Sequence, residues 1–255
     1  MNNTQLLAGR TAIVTGSGRN IGRAIALGFA GQGANVVING HSDTAALEAV
    51  AQEARALGGQ AMVFKADVGD AASVQAMADA AVRQFGGIDI AVSNVSQRLH
   101  QAFLDISVED WSRVLNTNLN SAFYLARACL PHMVKQHWGR IIHISGRDGF
   151  FPKAGRAHNV TCKAGTFALA KAIAVEFGVH GITANAVAPG IVQTSRDLAH
   201  YPDGGNSFEA RRLAMPLQRI GHVDEIAGAC SYLCSPAGSY VTGQVLHVTG
   251  GEFMF

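Results

Sequence analysis

Short, nearly all-apolar runs recur along this chain, and helix-length segments separate them. The runs are TAIVT (11–15), NVVIN (35–39), AMVFK (61–65), IDIAVS (88–93), RIIHIS (140–145), ITANAV (182–187) and QVLHVT (244–249). They are rich in β-branched residues, as strands buried on both faces should be. Helical patterns lie between them, at roughly 20–32, 43–57, 71–85, 107–137, 158–178 and 222–234. Strand–helix alternation at this spacing gives a parallel sheet with right-handed crossovers. The expectation is therefore an α/β fold over residues 1–255, one doubly wound domain with a seven-stranded parallel sheet. At 255 residues and 48% hydrophobic content, the chain has ample material for one large core. No linker, repeat or low-complexity segment divides it. The one long irregular stretch, IVQTSRDLAHYPDGGNSFEARRLAMP at about 191–216, reads as a lid-like or binding loop.

A net charge of +2, with acids and bases interleaved, argues against a nucleic-acid or membrane-surface partner. No run reaches the ~20 apolar residues of a membrane span. The opening MNNTQLLAGRTAIVTG lacks the charged and apolar regions of a signal peptide, so a cytoplasmic setting is expected. The cysteines Cys129, Cys162, Cys230 and Cys234 form no CxxC pair. Cys230 and Cys234 share a helix face, yet small buried thiols are the better reading, and no metal site is expected.

After the first strand comes TGSGRNIG, residues 15–22. Gly16, Gly18 and Gly22 stand where a tight turn meets a helix N-terminus. Such a turn lets a pyrophosphate reach backbone N–H groups at the positive end of the helix dipole. An NAD site usually carries an acid at the tip of the second strand. Here that tip is Asn39, Gly40 and His41, and Arg19 in the glycine turn is a cation for a 2′-phosphate. The residues favour NADP over NAD, if either binds; the alternative is that Arg19 is a solvated loop charge.

Residues 139–165 read GRIIHISGRDGFFPKAGRAHNVTCKAG: a buried strand, a polar loop, then a helix of small residues. With these segments in view, nearly the whole chain resembles the short-chain dehydrogenase/reductase family, near its 3-oxoacyl reductases and 3-hydroxyacyl dehydrogenases. Residues 15–22 are similar to the family's TGxxxGxG, with Asn20 in place of a glycine. Asp67 in KADVGD matches the acid that meets adenine. SNVS at 93–96 stands for NNAG and keeps Asn94. Asn118 in NTNLNSAF matches the asparagine that holds a relay water. Pro189, Gly190 and Thr194 match the turn and threonine that hold the nicotinamide amide, and LHVTGGEF resembles the last strand and glycine turn. The resemblance implies a Rossmann-type fold.

It also implies a catalytic serine, tyrosine and lysine at 146, 159 and 163, but those positions hold Gly146, Asn159 and Lys163. In the family the tyrosine is the general acid/base. The lysine lowers its pKa and binds the nicotinamide ribose, and the serine polarises the carbonyl. Lys163 and Asn118 remain. Positioned acid/base catalysis is worth roughly 10²–10⁴-fold, so ordinary redox chemistry should be crippled unless another group substitutes. His158 is first in line, although a neighbouring helix residue points about 100° away. His143 lies on the strand, Ser145 is one residue out of phase, and Thr161 and Cys162 have the wrong phase or weak acidity. Arg147 and Asp148 are ionic candidates near the mouth of the site.

Helices 107–137 and 158–178 match those that pair across subunits in the family. The small residues Ala164, Gly165, Ala168, Ala170, Ala172 and Ala174 suit close helix approach, and an apolar tail, Phe253, Met254 and Phe255, needs a dock. A homo- or hetero-oligomer is expected, as a tetramer with an identical chain or a family relative. The leading expectation is a catalytically impaired pseudoenzyme acting with an active relative in an alcohol or hydroxyacyl dehydrogenase complex. The alternatives are an NADP-dependent ketone or 3-oxoacyl reductase with a substitute donor, and a non-redox lyase. Arg196, His200, Tyr201, Arg211 and Arg212 in the lid suit an anionic or acyl-CoA substrate, or else form a solvated face.

Overall fold

A computed structural model of the chain describes residues 5–195 and 206–254. Strands β1 (Thr11–Val14), β2 (Asn35–Gly40), β3 (Ala61–Lys65), β4 (Ile90–Ser93), β5 (Gly139–Ile144), β6 (Ile182–Pro189) and β7 (Val245–Val248) pair in parallel. They form one seven-stranded sheet in the order β3-β2-β1-β4-β5-β6-β7. The apolar runs have this form because alternate residues feed opposite layers. Ala12, Val14, Ile142 and Ile144 pack with helices α1 (Asn20–Ala30), α2 (Thr44–Ala56) and α8 (Val223–Cys234). Ile13, Ala91 and Ile141 pack with α3 (Ala71–Phe85), α5 (Ser121–Gln136) and α6 (Ala157–Phe177). Both layers are buried, so the strands are apolar apart from a few polar residues such as Asn39, His143 and Asn185 that find hydrogen-bond partners. The order reverses between β1 and β4, and a crevice opens there at the carboxyl ends of the strands.

Three expectations need correction. The pattern at 107–137 is not one helix: α4 (Val108–Leu115) and α5 are joined by a π-helical turn, Asn116–Asn120. Side chains explain the break. Asn116 donates to the Gly69 carbonyl at 2.7 Å, and Asn118 clamps Gln97. Hydrophobic periodicity carries no trace of such polar contacts.

The stretch 191–216 is not irregular throughout, since α7 occupies Asn206–Ala214. Its low apolar content hid it. Arg196, His200 and Tyr201 lie outside the described residues. The tail also finds a dock within its own chain. Phe253 is 9% exposed and meets Phe150, Phe151 and His247 ring to ring. Met254 stays exposed, and Phe255 lies outside the described residues. The small-residue stripe of α6 divides: Ala170 and Ala174 face the core, while Ala164, Ala168 and Ala172 are exposed. All four cysteines are free and buried, and burial pushes the Cys129 and Cys234 thiols up to about 12. Among the described residues, no helix is long and apolar enough to cross a membrane.

Candidate functional site in the crevice

The glycine turn closes because two positions cannot carry a side chain. Gly16 has φ +63, and a Cβ on Gly22 would lie 2.3 Å from the Gly16 carbonyl oxygen. Gly18 is less constrained, since its Cβ would meet only the flexible end of Leu47 at 3.0 Å. Asn94 braces the turn from β4, donating to the carbonyls of Thr15 at 3.0 Å and Gly16 at 3.1 Å. Asn39, fully buried, accepts from Gly16 N–H and donates to the Phe64 and Ala66 carbonyls. It belongs to the scaffold, a role that the sequence pattern did not reveal.

Asn20 adopts φ 51, the left-handed conformation that asparagine tolerates better than most residues. Its side chain accepts from the Ser195 N–H at 2.9 Å, which joins the turn to the segment after β6. Arg19 is exposed at the start of α1, where no side chain caps the helix. The first N–H groups of α1 therefore lack a side-chain cap, as a phosphate site requires. Asp67 is exposed at the neighbouring strand end and holds its loop through Gly69 N–H at 2.8 Å. At the far end of the crevice, Gly190 packs against β7, where a Cβ would come 2.9 Å from the Thr249 Cα. Gly190, Thr194, Asn94 and Lys163 line one cavity of about 440 Å³. An uncapped helix end behind a glycine turn, with an amine at the opposite end, fits a nicotinamide dinucleotide.

The cavity also gathers Gly146, Asp148 and Asn159. Gly146 is in extended backbone, and a Cβ there would sit 3.9 Å from the Lys163 Cε, an ordinary contact. Asn159 is 2% exposed and bridges two neighbours. Its Oδ1 accepts from Asn118 at 3.4 Å, and its Nδ2 donates to Asp148 at 3.4 Å. Asn118 spends its amide on Gln97 as well, accepting from its N–H at 2.7 Å and donating to its carbonyl at 2.8 Å. Lys163 donates to the Ile144 carbonyl at 3.2 Å. Burial, reinforced by Arg98, pushes its amine down to about 7.

His158 is not brought into the cavity. It is fully buried beside Gln101, and its Nδ1 accepts from Asn159 N–H at 2.8 Å. Burial lowers its pKa further, so the neutral ring is a packing group in this fold. The Ser145 hydroxyl is turned onto the Lys163 carbonyl and Thr166. His143 is buried against Ser93 and pushed down to about 4 by desolvation. Arg147 pairs with Glu252 at 2.7 Å, and Asp148 pairs with Arg156 at 3.2 Å.

Residues 16–252 match the family described as Enoyl-(Acyl carrier protein) reductase. The chain is 36% identical over 245 residues to the 3-oxoacyl-(acyl-carrier-protein) reductase FabG of Staphylococcus aureus, covering 96% of this chain and 98% of that protein. It belongs to the short-chain dehydrogenase/reductase family. Among solved structures, this short-chain dehydrogenase/reductase is similar to a short chain dehydrogenase from Burkholderia cenocepacia J2315 in complex with NADP. The TM-score is 0.88 at 30% identity, covering 97% of this chain and 99% of that one. A crystal structure from Sinorhizobium meliloti 1021 superimposes with a TM-score of 0.92 at 29% identity, covering 98% of each chain.

Proposed function

We propose that this short-chain dehydrogenase/reductase is a dinucleotide-binding subunit with impaired redox chemistry of its own. It would act beside an intact relative in an alcohol or hydroxyacyl dehydrogenase assembly. One observation carries the reading: Asn159 and Gly146 line the cavity at the two places where the family resemblance puts the groups that face the reacting oxygen. A carboxamide neither gives nor takes a proton near neutral pH, and Gly146 has no hydroxyl to polarise a carbonyl. Among the described residues, the neighbouring side chains do not compensate, since Ser145 and His158 are turned into the protein.

Lys163, Asn118, Asn94 and the glycines of the turn remain. When bound, the nicotinamide ring supplies the hydride acceptor or donor. In this chain the glycine turn and the start of α1 would hold the phosphates, and Lys163 would face the ribose hydroxyls. NADP is favoured over NAD, because no carboxylate stands at Gly40 or His41 and Arg19 in the glycine turn is exposed. The NADP-bound Burkholderia relative supports that preference. The 3-oxoacyl reductase relatives support an oxoacyl or hydroxyacyl substrate for the assembly. Val175 and Val179, 85% and 84% exposed, and Phe123 at 49% are apolar surface that suits a subunit contact, in a homo- or hetero-tetramer.

Calorimetric titration of the purified chain with NADP and NAD tests the binding, with tighter binding of NADP expected. Turnover of an oxoacyl thioester should be at least ~10²-fold below that of an intact relative, because no positioned acid serves the oxygen. Comparable turnover by the pure chain would overturn the reading.

A further inference from the structure

One amine stands in the wall of the cavity with almost nothing to hold its charge. Lys163 is 6% exposed and lines the cavity from α6. Its Nζ donates to the Ile144 carbonyl at 3.2 Å, and among the described residues no carboxylate reaches it within ion-pair distance. Asp148, the carboxylate of the cavity wall, pairs with Arg156 instead. Asn159 spends its carboxamide on Asn118 and Asp148. A buried ammonium with one carbonyl for a partner gives up its proton far more readily than one in water. The charged and titratable groups around it do not reverse this. Arg98 adds to the effect of burial, and Cys162 and Asp148 oppose it without prevailing.

The other four lysines, Lys65, Lys135, Lys153 and Lys171, are all exposed. Lys163 differs from them in one more respect, which is the open space at its end. Gly146 has no side chain, and a Cβ there would meet only the Lys163 Cε, at 3.9 Å. A desolvated lysine that keeps its lone pair, beside a cavity of about 440 Å³, is equipped to attack a carbonyl carbon.

We infer that Lys163 is a covalent site for a small carbonyl compound, an aldehyde or a ketone, which it holds as a Schiff base. The Nζ lone pair attacks the carbonyl carbon and forms the C–N bond, while the π pair moves onto oxygen. A proton passes from nitrogen to that oxygen and gives a carbinolamine. A solvent proton lets the hydroxyl leave as water, and the nitrogen pair closes the protonated C=N bond. No oxidant or reductant is consumed. The inference goes beyond the dinucleotide reading and competes with it, because the same amine would serve the ribose or the imine.

The test is reductive trapping on the full chain without nucleotide. Acetaldehyde is the probe, sodium cyanoborohydride reduces any imine to a stable secondary amine, and peptide mass spectrometry reads the extent at each of the five lysines. At pH 7 Lys163 should be alkylated at least ~10-fold faster than any exposed lysine, whose amine is almost wholly protonated there. Its rate should level off above about pH 7, while those of the exposed lysines climb toward pH 10. Gly146→Val fills the space beside Cε and should slow Lys163 by at least ~10-fold, with the other four unchanged. That variant should melt like the parent, since the backbone at 146 is extended. A Lys163 rate no greater than those of the exposed lysines, or one indifferent to Gly146→Val, would overturn the inference. Saturating NADP separates the two readings. NADP that binds without slowing the Lys163 label counts against the ribose contact and leaves this inference standing, whereas NADP binding with no Lys163 label sinks this inference alone.

Discussion

Lys163 is a buried amine whose environment departs far from that of a free side chain. Burial holds its amine at about 7, against the ordinary 10.5 that it regains in the unfolded chain. Between those values the unfolded state binds the proton and the folded state does not, so stability rises with pH there. The cost of burying the charged amine is complete below about pH 7 and fades as pH climbs toward 10.5. Lys163→Met should therefore stabilise the fold most at pH 6, with the advantage shrinking toward pH 10. Loss of the Ile144 contact offsets this by a constant amount. Chemical denaturation across that range measures the slope, and a flat difference would refute the assignment. Asn159 and Gly146 set a second residue-scale expectation. Gly146→Ser is accommodated, since its Cβ meets only the Lys163 Cε at 3.9 Å. Asn159→Tyr is not, because in the direction that Asn159 now points a phenol runs into the Asp148 carboxylate. The pair Asn159→Tyr with Gly146→Ser should stay inactive, and adding Asp148→Ala should bring measurable reduction of an oxoacyl thioester by NADPH. Equal activity of the double and triple variants would show that Asp148 is no obstacle.

At the scale of elements, the π-helical turn between α4 and α5 sets Asn118 against Gln97 and Asn159. It exists because Asn116 and Asn118 find backbone partners on other segments, Gly69 and Gln97. π-Bulges of this kind occur mostly at functional sites. Asn118→Ala removes the acceptor of the Gln97 N–H and the donor to its carbonyl together. The expected loss is about 1–3 kcal/mol, read as a lower urea midpoint at unchanged slope. Nucleotide affinity should fall as well, since Gln97 closely follows Asn94 and Ser96 of the cavity wall. A variant as stable as the parent would mean that the clamp is dispensable. The regular elements were legible from pattern, as with α3, where Ala71–Phe85 is the range expected from periodicity. The turn was not, because asparagine side chains act across the fold and leave no period in the chain. Helix α7 was missed for a related reason: its polar sequence has too weak an apolar face to stand out from a loop.

For the whole molecule, the exposed apolar residues Phe123 of α5 and Val175 of α6 are the surface on which the proposed assembly is to be tested. Native mass spectrometry of the protein from its own source should show a tetramer-sized complex containing a second, intact family member. A monomer, or a complex of this chain alone, would count against the mixed assembly. Lys171→Glu, in the exposed row of α6 between Ala168 and Val175, should weaken that complex without altering the melting temperature of the isolated chain. What the sequence determined by itself is the layered sheet, the glycine turn and the absence of a phenol at 159 and of a hydroxyl at 146. Each is a local property: a run buried on two faces, a conformation open to glycine, a functional group present or absent. Only the tertiary structure decided that His158 is packed away, that Asn39 and Asn94 brace the turn, and that Glu252 reaches Arg147 across 105 residues of sequence. Those contacts join segments that separate crossovers deliver to the same crevice, and side-chain partners so distant are chosen by the packing of the sheet and not by any pattern along the chain.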